Sequence, residues 1–487
     1  MNAARLIVAA ALAGAATSVA ETAFADRLAW VEEAELDEAF KSVAVKAHRP
    51  MPWSVFVDRS YRELKRDGAV TDSDLGDDAG AAVWLALLDP EYRRTGKLIY
   101  VDTDRVPGVE AGRWMSLEEF EVGIMPDVVR APEAYDGGAR EEATRALVAR
   151  ATALYRMAWD KLYLIPAAPA AGWRPLGPGE PEWLEVRRLE AAYAARDAAS
   201  ARRAAEALAN ALGRRPGYPS RLRLGTETYL NKFAVLKIAN LLYVLSAVLF
   251  IVGAATRRRK VATGGLYVAW AAVVATAAGL AARFVITGFW PVASRYESLV
   301  LVSAAAAFFL VCWARGDRVY GGAVVMPVAA LIFAAAWRFP AEVVGYLPPA
   351  LHSPWYVAHS VAGNVGRGFF AVVFAGAASA WFDGGKEGGA FSARASAEAM
   401  ASRAAAWAYP LFVGGALVAG AVWSQLSAGA WWTGTPAEAG VLGAALLGAA
   451  YWSVGRLSAG RSFAAVALAA LTFAAALFSL FADLVQT

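Results

Sequence analysis

The sequence predicts a mainly α-helical membrane protein: a polytopic bundle of about eight transmembrane helices behind an N-terminal, exported, mostly helical α+β soluble domain. Three observations carry this. Hydrophobic residues make up 58% of the 487. Charge is segregated, with only 19 of the 90 charged side chains in residues 265–487, so one half suits water and the other does not. Eight apolar runs follow one another from residue 234, each near the ~20 residues that cross a ~30 Å hydrocarbon layer.

The same composition excludes a single water-soluble globule, a disordered chain and a nucleic-acid binder held by a basic patch, since the net charge is only +4. Cys312 is the single cysteine, which excludes an internal disulfide, a Cys-x-x-Cys redox pair and a thiolate metal cage. Its apolar surroundings predict a buried, inert thiol.

Residues 1–25 read as an export signal: Arg5 is the positive start, Leu6–Ala16 the short apolar stretch, and Ala23-Phe24-Ala25 a small-x-small cleavage site. Residues 26–230 then form the soluble domain. Strand-like stretches occur at Lys41–Val45 and Lys97–Asp102. Helical spacing follows in Leu147, Ala151, Leu154, Tyr155, Ala158 and Leu162, and in the Ala-, Arg- and Glu-rich segment Glu185–Leu212. No catalytic constellation is present; His48 is this half's only histidine and reads as a surface residue.

Residues 231–487 form the membrane domain. Its apolar runs lie near 234–255, 265–286, 296–313, 320–337, 355–382, 405–425, 437–454 and 463–484. Without water to satisfy backbone groups, such runs must be helices. The third, fourth and seventh are the shortest, which points to tilts, kinks or shifted ends. With residue 230 outside, the inner loops hold Arg257, Arg258, Arg259, Lys260, Arg315, Arg318, Lys386, Arg394, Arg403, Arg456 and Arg461, whereas the outer loops hold Arg295 and Arg338, with Arg283 at an edge. This asymmetry orients the bundle with both mature termini outside the cytoplasm, as in a multi-pass protein of the inner (plasma) membrane.

Three places in this half carry candidate chemistry. At Leu351–His359, Ser353 is a natural helix cap and Pro354 a natural first helical residue. His359 then lies five residues inside the fifth helix, about 7–8 Å below its mouth. An ionisable group at that depth marks a functional site, and neutral imidazole is the usual proximal ligand of haem iron. Gly363 and Gly366 continue the same face and leave room for a close neighbouring helix or for a flat ligand; both readings stay open. In the second place, Trp423, Trp431 and Trp432 lie in an outer segment running to Glu438, suited either to an interfacial aromatic belt or to the floor for a planar ligand. The third is Pro291–Ser298, where Glu297 is comfortable near a helix N-terminus. Arg283, Arg295 and Arg338 stand at the same outer level, where carboxylates such as haem propionates would meet them. Arg367, deeper in the fifth helix, needs a partner or a water-filled cavity.

Together these segments resemble the CcsA-type (ResC-like) cytochrome c assembly family. The family's Pro-x-x-Asn-x-Tyr-Glu-Ser entry to a helix looks like Pro291–Ser298, with Ser294 in place of Asn. Its Leu-x-Ser-x-Trp-x-x-x-His element is matched by Leu351, Ser353, Trp355 and His359. Gly420-Ala421-Val422-Trp423, then Trp431 and Trp432, is similar to the run leading into its Trp-rich haem-handling segment. The usual Trp-Asp-Pro-x-Glu appears as Gly434-Thr435-Pro436-Ala437-Glu438. The likeness covers about residues 229–487, and more weakly the exported half at Asp89-Pro90-Glu91. The family's further histidines are missing: Ser453 stands where one is usual, and none follows His359.

The resemblance implies a cytochrome c biogenesis protein, a possible component of a cytochrome c haem lyase. It implies haem b with His359 on the iron, with Trp355, Trp423, Trp431 and Trp432 against the porphyrin and Arg295, Arg338 and Glu297 near its edge. Apocytochrome c and a ResB-like membrane partner are the implied partners, beside the lipid bilayer. Two other readings stand beside it: a divergent non-haem scaffold of an envelope complex, and a small-molecule transporter, against which the absence of a visible internal repeat argues.

Overall fold

The computed structural model describes residues 26–482, apart from residue 28 and the segments 47–49, 65–78, 102–104, 107–108, 131–137, 167–172, 340–348, 383–392 and 459–462. The export signal read over residues 1–25 lies outside the described residues, as do His48, Lys386 and Arg461. The chain divides into two compact units, Met1–Thr228 and Tyr229–Thr487.

The first unit packs short helices around an aromatic core, with three two-stranded antiparallel ladders: Ala44–Lys46 with Pro50–Pro52, Ile99–Val101 with Arg113–Met115, and Tyr163–Pro166 with Trp173–Pro175. Phe40, Trp53 and Trp84 are fully buried, and the Phe40 and Trp84 rings meet edge-on at 4.8 Å. The indole N–H groups of Trp53 and Trp84 both donate to Asp37 Oδ1, at 2.9 and 2.8 Å, which satisfies both donors inside the core. Asp89 is the N-cap of the helix Pro90–Thr95, accepting from the Tyr92 N–H at 3.0 Å.

One helical reading is corrected here, and a second, over Glu185–Leu212, gains an internal break. The helix Gly138–Tyr155 buries Leu147, Ala151 and Leu154 as its spacing requires, but it ends at Tyr155, which is exposed. Ala158 and Leu162 fall outside it because Trp159 turns inward against Phe40 and Trp84 through a 3₁₀ turn. Core packing outweighs periodicity there. The segment Glu185–Leu212 is two helices, Trp183–Ala194 and Ala198–Gly213, broken at Arg196 with φ 56° and restarted by Asp197, whose side chain accepts from the Ser200 N–H.

The second unit is a helical bundle in which, among the described residues, eight helices are long and apolar enough to cross a membrane: Val235–Ala255, Arg259–Thr287, Arg295–Trp313, Arg318–Ala336, Pro354–Trp381, Ser396–Ala428, Pro436–Val454 and Phe463–Phe481. Small residues let the helices touch. A Cβ on Gly368 would sit 2.4 Å from the Val302 carbonyl of the third span, and one on Gly366 would meet the Phe412 backbone of the sixth at 2.9 Å. Buried hydroxyls are satisfied across helices, Ser246 donating to the Gly265 carbonyl and Ser303 to the Ala329 carbonyl.

The fourth span starts in a 3₁₀ turn, Gly316–Gly321, and carries Pro327 inside. The sixth is longer than its apolar run because an Ala-rich stretch extends it N-terminally. Beyond Pro410 it loosens into a π-helical segment, Val413–Ala419. Cys312 is exposed on the third span's surface, not buried as expected. An apolar neighbourhood in a membrane sequence does not distinguish the bundle interior from its outer face.

Candidate functional site

The π segment builds the site. In it, backbone N–H groups reach back five residues, as Gly420 does to the Gly415 carbonyl, and the wider turn brings the sixth span against the fifth. A Cβ on Gly415 would lie 2.5 Å from that of Ala362. On the facing helix, the Ser353 side chain caps the start through the Trp355 N–H at 3.2 Å, and Pro354 is the first residue of the span. His359 therefore enters the interface one and a half turns down.

Its ring rests on Gly420, where a Cβ would lie 2.6 Å from Nδ1. Nδ1 stands 3.1 Å from the Ala416 carbonyl oxygen. A carbonyl only accepts, so Nδ1 carries the proton and donates it, leaving Nε2 as the nitrogen with a lone pair. The Trp423 indole stacks on the imidazole at 5.9 Å and 21°, and the Tyr356 ring meets the same indole at 5.3 Å. Tyr356 is anchored in turn by donating to the Val292 carbonyl at 3.0 Å.

His359 and Trp423 border a cavity of about 310 Å³, lined also by Arg367, Trp431, Trp432 and Glu438 among others. Trp431 and Trp432 follow Gly429, whose positive φ of 74° ends the sixth span, and they are 62% and 44% exposed. The loop is set by Ser424 donating to the Ala430 carbonyl at 2.8 Å, and by Glu438, whose Oε2 accepts from the Thr433 and Thr435 N–H groups. Thr435 Oγ1 accepts from the Glu438 N–H in return, so Thr435-Pro436-Ala437-Glu438 is a capping box opening the seventh span.

Of the residues singled out from sequence, the cavity thus gathers His359, Arg367, Trp423, Trp431 and Trp432. Trp355 is 45% exposed and, like Arg295, Arg338 and Glu297, does not line it. Glu297 is buried and fully engaged: Oε1 accepts from Arg283 Nη1 at 2.9 Å, and Oε2 from the Ala293 and Ser294 N–H groups. Ser294 and Glu297 form a second capping box. The face below His359 receives a neighbouring helix: Gly363 meets Ala416 and Gly366 meets Phe412. Ser479 lines the cavity unforeseen. A lone serine in an apolar run carries no positional signal, whereas Asn364, three residues before Arg367, did carry one, because the two share a helix face.

No protein-family model and no curated protein matches this sequence.

Proposed function

We propose that the membrane unit handles haem in the manner of the CcsA-type family it resembles. In this reading the chain serves cytochrome c biogenesis, holding haem b at the extracytoplasmic face of the inner membrane for attachment to apocytochrome c. The observation that carries the reading is the convergence of His359 and three indoles on one cavity, with the imidazole hydrogen fixed on Nδ1 by Ala416. That hydrogen bond orients the ring and raises the basicity of Nε2, as an outer-shell carbonyl does for a metal-ligating histidine.

The donor set suits haem: one neutral imidazole, flat apolar walls and no competing thiolate. At about 310 Å³ the cavity is at the small end for a ligand site, so it takes one edge of a tetrapyrrole. Trp431 and Trp432, both exposed, would flank the remainder and leave it open to an acceptor protein. Bound haem supplies the chemistry, through vinyl groups that form thioethers with the acceptor's cysteines. The chain's residues position: His359 ligates, Trp423 holds the imidazole plane, and Trp431 with Trp432 covers the exposed face. Trp355, Arg295, Arg338 and Glu297 shape the surround, and the first unit orients the apocytochrome with a ResB-like partner.

Detergent-purified protein is expected to show a Soret band that His359→Ala abolishes or shifts, with loss of cytochrome c maturation in parallel. Absence of haem absorbance together with unchanged maturation in His359→Ala rejects the reading. One observation favours a second one, a haem-free scaffold: no histidine follows His359 to complete an axial pair. A scaffold leaves His359→Ala silent but fails when residues 26–230 are deleted.

A further inference from the structure

The fifth span carries a charge that no described residue neutralises. Arg367 is 2% exposed, and its donors go to neutral groups: Nε to the Ala476 carbonyl at 2.9 Å, Nη1 to Asn364 Oδ1 at 3.0 Å and Nη2 to Ser479 Oγ at 2.8 Å. The Phe412 ring lies 5.4 Å from the guanidinium carbon. Arg283, the other buried arginine of this unit, has the Glu297 carboxylate at 2.9 Å. Arg367 has no ion pair among the described residues.

A guanidinium has five N–H donors, and three are used here, which leaves one on each terminal nitrogen. Arg367 and Ser479 both line the cavity under His359. The side chain runs back along its helix, since Nη1 lies 3.1 Å from where a Cβ on Gly363 would be, one turn beyond His359. Glu438, the other charged residue of the lining, turns its Oε2 onto the Thr433 and Thr435 N–H groups of the loop and does not compensate the arginine.

We propose that Arg367, with Ser479 and Asn364, is an anion seat at the base of the cavity, taking one carboxylate of a ligand whose apolar body lies along the indoles. Two N–H bonds on neighbouring nitrogens match the two oxygens of a carboxylate. Depth selects the carrier. The Arg367 guanidinium lies beside Gly363, nine residues into a helix that begins at Pro354, about 13–14 Å along the axis, so a phosphate held at lipid headgroup level stays above it. An anion at this level arrives on an apolar body, and a singly charged carboxylate is cheaper to desolvate than a doubly charged phosphate. A porphyrin side chain and a free fatty acid both have this chemistry. The seat needs no iron, so it stands or falls separately from the ligation by His359.

Full-length protein in detergent decides the matter by fluorescence titration with metal-free protoporphyrin IX and cis-parinaric acid, each beside its methyl ester. At least one acid is expected to bind about tenfold more tightly than its ester, the size of one net charge-assisted contact. That preference disappears in Arg367→Met and shrinks in Ser479→Ala, and whichever acid shows it identifies the ligand source. The proposal is overturned if both esters bind as well as the acids, if the preference survives Arg367→Met, or if no probe binds. Should Arg367→Met fail to fold, the wild-type comparison and Ser479→Ala still decide. Ferric haem, titrated against His359→Ala, reports the iron reading apart from the seat: a His359-dependent Soret band without acid preference rejects the seat alone, and acid preference without that band rejects the iron ligand alone.

Discussion

One missing carbon sets the imidazole of His359. Its Nδ1 bonds the Ala416 carbonyl because Gly420 lets the ring approach the sixth span, and a methyl group there would stand 2.6 Å from Nδ1. Gly420→Ala should therefore push the ring off its acceptor and, like other overpacking changes, cost about 1–3 kcal/mol. Gly414 provides the control: it lies six residues earlier, within the π segment, and a Cβ there meets nothing within 4 Å. Gly414→Ala should leave stability unchanged or raise it by up to ~1 kcal/mol through helix propensity. Denaturation midpoints of the two variants, with ligand titrations alongside, test this; equal behaviour of the pair would remove Gly420 from the site. His359 itself was legible because Ser353 and Pro354 mark the start of its helix and so fix its depth. Gly420 was not, since its role depends on which face of another helix meets the ring.

Helix ends show how far local chemistry reaches. All eight spans were readable from apolar length, because a bilayer leaves the backbone no alternative to the helix. The π segment after Pro410 was not readable: proline predicts a disturbance but not its form. The two Ser/Thr-x-x-Glu boxes, at Ser294 and Thr435, are sequence signatures, yet only contact across helices separates them. Glu438 stays with its loop, whereas Glu297 also neutralises Arg283 from the second span. At 1% exposure Glu297 is expected to behave as half of a buried pair, so Glu297→Ala alone should cost about 3–5 kcal/mol by taking the carboxylate from the buried Arg283. Adding Arg283→Met should restore most of that loss. Unfolding of the two single variants and the double variant in detergent measures the coupling, and additive losses would mean that the pair contributes no more than its separate contacts.

For the molecule as a whole, the two units rest on different forces and should respond differently to acid. The membrane unit holds few charges, and apart from the buried Glu297–Arg283 pair its helices meet through glycines, alanines and neutral hydroxyl bonds, so acid acts on few of its contacts. The first unit depends on carboxylates that its fold keeps ionised. The Arg215 guanidinium donates to Glu182 at 2.6 and 2.8 Å and holds that carboxyl below the usual glutamate range. Arg174, and then Arg215, does the same for Glu180, and the Ser200 hydroxyl and N–H do so for Asp197. A carboxyl whose native pKa is lowered stabilises the fold at pH values above its unfolded pKa, about 4.3 for Glu and 3.9 for Asp. That stabilisation is lost as the pH falls from those values through the lower native ones. Below about pH 4.3 the first unit should therefore become open to proteolysis while the spans remain protected. Arg215→Gln should weaken the same unit already at neutral pH and flatten its acid response, because Glu182 then has less native ionisation to lose. Limited proteolysis across pH 7 to 3, read separately for fragments of the two units, checks both halves of this expectation. A first unit equally resistant at every pH, or an Arg215→Gln chain with an unchanged acid profile, would show that its aromatic core around Phe40, Trp53 and Trp84 holds it together without those charges.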